Sequence, residues 1–254
     1  MNIKSGTLNG VAIIEIARPE KKNAITSAMY LGMAEALVLA NAAPSVRAVL
    51  IAGQPGIFTS GNDLEDFMQR PPTDGDTPSL AFMKALMGCE KPVIAAVTGA
   101  AIGIGTTMLL HCDFVYVSDE ARLAMPFVSL GLVPEFGSSL LVSQLMGNPR
   151  AAEKLLLGEP FTGAQAVELG IANAVLPAGE VMAHSRRVAE RFNALPPGAV
   201  RETKKLMRRA RNASVPGAIE AEGEIFRSRL TSPEAKEAFS AFFQKRKPDF
   251  SQFD

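Results

Sequence analysis

The sequence predicts an α/β core reaching to about residue 195, followed by a helical C-terminal region. Three observations carry that expectation. Short apolar runs of strand character alternate with helix-like segments in the order strand, strand, helix, and glycines stand at the strand ends. From about residue 149 the segments become mostly helical. Pro196-Pro197-Gly198 then punctuates the chain, dividing it into residues 1–195 and 196–254.

In chain order, "IKSGTLNGVAIIEIAR" reads as a hairpin turning at Asn9-Gly10, because that dipeptide tolerates the positive φ that a tight hairpin turn requires. "TSAMYLGMAEALVLANAA" reads as a helix that Thr26 or Ser27 caps and that ends before Pro44. "VRAVLIAG" is a buried strand running into the glycine-containing loop "QPGIFTSGNDL". A helix over "PSLAFMKALMGCE" precedes Lys91-Pro92 and a second buried strand, "VIAAVTG". "AAIGIGTTMLLHCDFVYVSD" gives a glycine turn, a short apolar helix starting near Thr106 and a strand; "ARLAMPF" gives one more. Beyond the loop "GLVPEFGSS", the segments "RAAEKLLLG", "TGAQAVELG", "GEVMAHSRRVAERFNAL", "PGAVRETKKLMRRARN", "PGAIEAEGEIFRSRL" and "SPEAKEAFSAFFQKR" read as helices bounded by Pro, Gly, Ser or Thr, with "IANAVL" as the one strand among them.

Composition narrows the function classes. A hydrophobic fraction of 47% with 20% charged residues over 254 residues is that of a globular chain with a sizeable core. The 26 basic and 26 acidic residues cancel, leaving no global field to recruit nucleic acid or an anionic membrane, so a polyanionic ligand must meet a local patch. Cys89 and Cys112 are too few for a disulfide framework and lack metal-type spacing. With no signal-like opening and no apolar run of spanning length, a reducing, cytoplasmic location is expected.

Two glycine turns and one acid stand out. Gly103 and Gly105 permit a tight turn into a helix whose first N–H groups lack intrahelical partners; the glycines would also simply let that helix pack closely on the sheet. Gly61 opens a second turn of this kind, where Asn62 or Asp63 is placed to cap the following helix. Two such turns suit a carbonyl oxygen that becomes negative during reaction, each giving one backbone N–H. Glu135 lies among glycines, apolar residues and small hydroxyls with no cation near in sequence, the setting of a perturbed carboxyl. His111 and His184 complete no triad and read as packing or surface residues, Cys112 as a small buried hydrophobe, and Asp113 as a cap or ion-pair partner. The pairs Glu65/Asp66 and Asp74/Asp76 read as solvated, as does the helix face carrying six cations in "RETKKLMRRARN".

"RPEKKNAIT", "FTSGNDL", "TGAAIGIGTTMLLHCDFVYVSD" and "FFQKRKPDF" resemble, in order and spacing, the signatures of the enoyl-CoA hydratase/isomerase (crotonase) superfamily, over essentially the whole chain. The resemblance implies a crotonase-like spiral of ββα turns over 1–195 and a helical trimerisation region over 196–254. It implies an acyl-CoA substrate, no cofactor beyond that coenzyme A thioester, and a homotrimer or dimer of trimers, with neither membrane nor nucleic acid as partner. It assigns the backbone N–H groups of Asn62 and Ile104 as oxyanion donors. Ser60, Gly61, Asp63, Leu64 and Gly103 fall to the substrate loops, Lys22 and Ala24 to the adenine and pantetheine, and Lys245 to the coenzyme A of a neighbouring subunit. At the two positions where hydratases of the superfamily carry glutamates, this chain has Thr107 and Phe127, neither of which can serve as a general base. Glu135 instead falls where peroxisomal-type Δ3,Δ2-enoyl-CoA isomerases carry an acid, so the resemblance implies an isomerase with Glu135 as proton shuttle. The alternatives are a hydratase, hydrolase or decarboxylase on the same scaffold, or a non-catalytic CoA-thioester or RNA-binding protein.

Overall fold

The computed structural model describes residues 2–69 and 77–253; Asp74 and Asp76 lie outside the described residues. β1 (Ile3–Leu8) and β2 (Val11–Ile16) form the expected hairpin, with Asn9 and Gly10 both at positive φ. α1 (Ser27–Ala42) follows, its Met29 N–H donating to the Thr26 hydroxyl. Three windings come next. β3 (Ala48–Ala52), β4 (Ile57–Thr59), α2 (Leu64–Gln69) and α3 (Pro78–Met87) make the first; β5 (Val93–Val97), β6 (Ala100–Ile102) and the one-turn α4 (Ile104–Thr107) the second. β7 (Phe114–Ser118), β8 (Arg122–Ala124), α5 (Ser138–Met146) and α6 (Asn148–Leu155) make the third. β9 (Phe161–Thr162), α7 (Gly163–Glu168), β10 (Ala174–Leu176) and α8 (Val181–Glu190) close the core, and α9 (Pro197–Met207), α10 (Arg209–Leu230) and α11 (Pro233–Phe243) complete the chain.

Each winding contributes one strand to each of two sheets. The larger has the order β1-β2-β3-β5-β7-β10, parallel except for the hairpin; the smaller has the order β4-β6-β8-β9, parallel except for β8–β9. β3 shows why the central strands read as unbroken apolar runs. Val49 and Ile51 join the main core with α1 and α3, whereas Ala48, Leu50 and Ala52 join a second cluster with Val181 and Ala189 of α8. A strand covered on both faces has no polar side to show.

Several boundaries differ from expectation. β4, β9 and α5 form where no separate element was anticipated; β9 is only two residues long and exists through its pairing with β8. The helix after Gly103 begins at Ile104, not near Thr106. The break expected at Pro216 lies at Arg208 instead, and α10 runs through Pro216. Proline there removes one backbone donor, which a helix packed on a core tolerates at the expense of a bend. The basic run is not a solvated face throughout. Lys204 and Arg208 each lie 2.7 Å from Asp113, and Arg211 reaches the His111 ring. Asp113 also accepts the Val93 N–H at 2.8 Å, so it ties α9 and the α9–α10 junction to the large sheet. Nor is Asp66 solvated: it accepts from the Ser27 N–H and hydroxyl, both at 2.7 Å, at the start of α1. Among the described residues, no helix is long and apolar enough to cross a membrane.

Candidate active site

The two glycine turns meet because β4 and β6 are neighbours running in the same direction, Ile57 opposite Ala100 and Thr59 opposite Ala101. Their C-terminal ends therefore release both loops at one edge of the small sheet. The approach is close: a Cβ on Gly61 would lie 3.0 Å from the Ile102 carbonyl oxygen, and one on Gly105 would lie 2.5 Å from Thr59 Cγ2. Gly61 also has φ +94, a conformation side chains rarely adopt.

Residues 22–25 stitch the first loop. The Ser60 N–H donates to the Lys22 carbonyl at 3.1 Å, the Asn23 amide donates to the Ile57 and Phe58 carbonyls, and the Thr59 hydroxyl donates to the Asn23 carbonyl. Ile25 N–H donates to Gly61 O at 2.8 Å and Asp63 N–H to Ile25 O at 2.9 Å, a parallel bridge in which the N–H of Asn62 itself takes no part. The Asn62 side chain is fixed by the Tyr30 hydroxyl, which donates to Oδ1 at 2.5 Å. In the second loop, Gly103 donates to Ala124 O and its carbonyl accepts from Thr106 and Thr107. Ile104 is then the first helical residue, whose N–H has no intrahelical acceptor, and its side chain is fully buried, turned into the core. Gly103 has φ +57, but a Cβ there would meet nothing nearer than Phe127 Cε1 at 4.0 Å. The requirement for glycine at 103 is thus one of backbone conformation, not of space.

Glu135 sits on the turn between β8 and α5, partly buried, with its Oε1 buried and unpartnered among the described residues. Burial, with a smaller contribution from the charge of Glu222, raises its pKa to about 8. The same turn holds Phe136 at φ +62 and Gly137 at φ +70. Phe136 stacks on His111 at 3.7 Å between ring centroids, and its carbonyl lies 2.8 Å from His111 Nε2. Because the Arg211 guanidinium donates to Nδ1, the imidazole is the Nε2–H tautomer, and burial beside Arg211 holds its pKa well below the usual histidine value. His111 is a structural brace. On the other side, Glu222 of α10 accepts from the Gly137 N–H at 2.6 Å and from the Ser139 N–H and hydroxyl at 2.8 and 2.5 Å.

Tyr30 links the acid to the first loop. It is buried, bonded to Asn62, and burial together with the charge of Glu135 raises its pKa well above the usual phenol value. A cleft of about 430 Å³ opens on Glu135, lined by Phe67, Leu80, Met83, Met87, Ile219 and Phe226 among others. Beside the second loop, Phe127, which follows β8, is buried with its ring edge towards Gly103, and Thr107 of α4 is fully buried with its hydroxyl unpartnered among the described residues.

The backbone bonds gather Lys22, Ala24, Ser60, Gly61, Asn62 and Asp63 into one patch, with Gly103 and Ile104 across from it. Lys22 is exposed at φ +51, and the Ala24 carbonyl accepts from Arg18 at 2.9 Å. Leu64 opens α2 and packs against the main core. Asp63 is committed elsewhere. Its carboxylate caps α2 through the Glu65 and Asp66 N–H groups and pairs with Arg18 at 2.6 Å; these contacts outweigh burial and hold its pKa below the usual carboxylate range. Lys245 is exposed after α11, its N–H donating to Phe242 O, and no contact within the described residues of one chain joins it to this patch. Sequence reasoning missed Tyr30 and Glu222. Tyr30 sits in an apolar helix and reads as core; Glu222 is one of three glutamates in "IEAEGE", and nothing local distinguishes it.

Residues 6–253 match the family described as enoyl-CoA hydratase/isomerase. Among curated relatives, Enoyl-CoA delta isomerase 2 of Rattus norvegicus is 34% identical over 243 residues, spanning 93% of this chain and 62% of its own length. The 2,3-dehydroadipyl-CoA hydratase of Escherichia coli is 28% identical, with 94% of each chain covered. Among solved structures, OdaA of Pseudomonas aeruginosa is 51% identical with a TM-score of 0.93, covering 95% of this chain and 98% of its own.

Proposed function

The chain belongs to the enoyl-CoA hydratase/isomerase family, and from that premise we propose that it converts a 3-enoyl-CoA to the trans-2-enoyl-CoA with Glu135 as the proton shuttle. The Glu135 carboxylate takes a proton from C2. The electron pair left behind delocalises through the C3–C4 double bond and onto the thioester oxygen, which accepts hydrogen bonds from the Asn62 and Ile104 N–H groups. The same carboxyl then returns the proton at C4, leaving the double bond between C2 and C3. One acid serves both steps because each is on the same face of a planar dienolate.

The observation that carries this reading is the unpartnered Oε1 of Glu135 beside the Tyr30–Asn62 pair, on a site whose hydratase-type positions hold Thr107 and Phe127. Glu222 is no substitute as a second base, since both its oxygens are engaged by the α5 N-terminus. A base with pKa about 8 is well matched to proton transfer from a weak carbon acid near neutrality. The test is chromatography of the products from 3-enoyl-CoA and, separately, 2-enoyl-CoA. Interconversion of the two with little 3-hydroxyacyl-CoA is expected; brisk hydration by the native protein would overturn the assignment.

Hydration is the second reading, favoured by the buried, unpartnered Thr107 hydroxyl, a group that would hold a water, and by relatives named as hydratases. Coenzyme A would lie along Lys22 and Ala24, with Lys245 supplied by another copy of the chain in a trimer or dimer of trimers. The C-terminal helices divide in support of such an assembly. Ile219, Phe226 and Phe239 are buried within the chain, whereas Ile225, Phe242 and Phe243 remain exposed as apolar surface for a neighbour.

A further inference from the structure

We propose that Glu222 is a positioning residue for the Glu135 carboxyl: from α10 it clamps the left-handed Phe136–Gly137 turn that carries Glu135 and presents a like charge to it. The argument starts with the turn. Phe136 at φ +62 is a bulky side chain in a sparsely populated conformation, which persists only where its surroundings over-determine it. Those surroundings lie on both sides. The His111 ring bonds the Phe136 carbonyl, and Glu222 takes the N–H groups of Gly137 and Ser139 together with the Ser139 hydroxyl.

Gly137 and Ser139 are the cap and second residue of α5, so Glu222 occupies the positive end of that helix as a capping carboxylate supplied by a different helix. The helices approach closely enough for this because position 137 is glycine: a Cβ there would lie 3.1 Å from Val215 Cγ1 and 3.5 Å from Ile219 Cγ1, both on α10. Burial pushes the Glu222 carboxyl above the usual range as well, but its three donors oppose that push, whereas nothing opposes it at the unpartnered Glu135 Oε1. Glu222 and Glu135 line the same cleft, but among the described residues donors reach Glu222 and none reaches Glu135 Oε1, so of the two buried acids Glu135 is the one more strongly driven to hold a proton. Lys84, Glu220 and Arg227 line the cleft as well, and Tyr30 faces Glu135 from α1; the charge that acts on Glu135 is that of Glu222.

This role rests on the isomerase reading only for its catalytic consequence, so the experiment reads Glu135 directly. The full-length protein, labelled with ¹³C-carboxyl glutamate, is titrated by NMR, with the Glu135 signal assigned through its loss in Glu135→Gln. In the native protein Glu135 should titrate near pH 8, with the Glu222 signal responding at the same pH. In Glu222→Gln the proton affinity of Glu135 should fall by about tenfold. The acid limb of kcat for 3-enoyl-CoA should move to lower pH by the same factor while KM stays within about twofold. Titration of Glu135 in the ordinary carboxylate range, or a folded Glu222→Gln variant with an unmoved Glu135 titration, would overturn the proposal. Should Glu222→Gln not fold, the coupled response in the native protein alone decides: independent titration of the two signals sinks it. If native protein shows the coupled titration but no isomerisation, the functional reading fails and the clamp stands. Isomerisation with uncoupled carboxyls has the opposite meaning.

Discussion

The two halves of the site are held in opposite ways. The side proposed to hold the oxyanion is made of backbone. Its loops leave adjacent parallel strands, and their N–H groups are aimed by turns whose partners lie within the strands and residues 22–25. The acid side is made of side chains. Glu135 rides on a loop after β8 whose conformation depends on His111, Arg211 and Glu222, the last two from α10. The difference teaches where each half is vulnerable. Sheet geometry protects the donors, whereas the acid depends on the C-terminal helices staying docked.

The largest expected effect tests that dependence. Asp113→Ala removes the carboxylate that pairs with Lys204 and Arg208, leaving two partly buried cations without their counter-ion. Breaking a buried pair from one side costs about 3–5 kcal/mol. Chemical denaturation should show a loss of that order. Hydrogen exchange at sub-denaturing urea should show α9 and α10 opening before the strands; uniform opening would mean the two halves share one fate and the contrast drawn here is false.

Next come the two direct lesions, each expected to cost at least ~100-fold in kcat/KM. Glu135→Gln removes the base and keeps the shape. Ile104→Pro removes one oxyanion donor and leaves Glu135 in place. Their stabilities should diverge with pH. Glu135 has its pKa raised to about 8 in the folded chain, so native stability from this group is fully present below the usual carboxyl range and is lost as pH rises towards 8. Glu135→Gln avoids that loss, so its stability relative to the native protein should rise with pH across this window and level off above pH 8. Ile104→Pro should show no such pH-dependent gain. Thermal melts of the three proteins at pH 5 and pH 8.5 make the comparison.

The contrast also explains what the sequence made legible. The buried strands, the Asn9-Gly10 hairpin and the Thr26 cap follow from local chemistry and stand where expected. Gly61 and Gly103 announce the two glycine turns because positive φ needs a residue that permits it. Glu135 is visible because nothing near it in sequence could pair it. What pairs its loop lies far away: Glu222 is separated from Gly137 by 85 residues and resembles its neighbours Glu220 and Glu224 on a helix that reads as amphipathic. Asp66 and the inward cations of the basic run fail for the same reason, since their partners Ser27, Asp113 and His111 are neighbours only once the windings have stacked. The β9 strand and the passage of α10 through Pro216 are tertiary decisions that override local signals.

The smallest expected effect lies where the two halves touch. Tyr30 donates to Asn62 Oδ1 on the oxyanion side and faces Glu135 on the acid side. Its pKa is raised by burial and then by the Glu135 charge, so the hydroxyl remains protonated and remains a donor at any pH where the enzyme works. Tyr30→Phe keeps the ring, which packs on Phe82 at 5.7 Å, and removes only the bond to Asn62. Asn62 is partly exposed, so water can replace the lost donor and the cost in stability should stay near 1 kcal/mol. If Tyr30 only orients the Asn62 loop, kcat should fall by about fivefold with KM nearly unchanged, because the backbone donor survives in a slightly looser turn. A loss as deep as that of Glu135→Gln would move Tyr30 from holding the pocket to acting within it, with the phenol itself bonding the developing oxyanion. Solvent isotope effects separate the cases: an orienting Tyr30 leaves them as in the native protein, whereas a donor to the reacting oxygen changes them when the hydroxyl is gone.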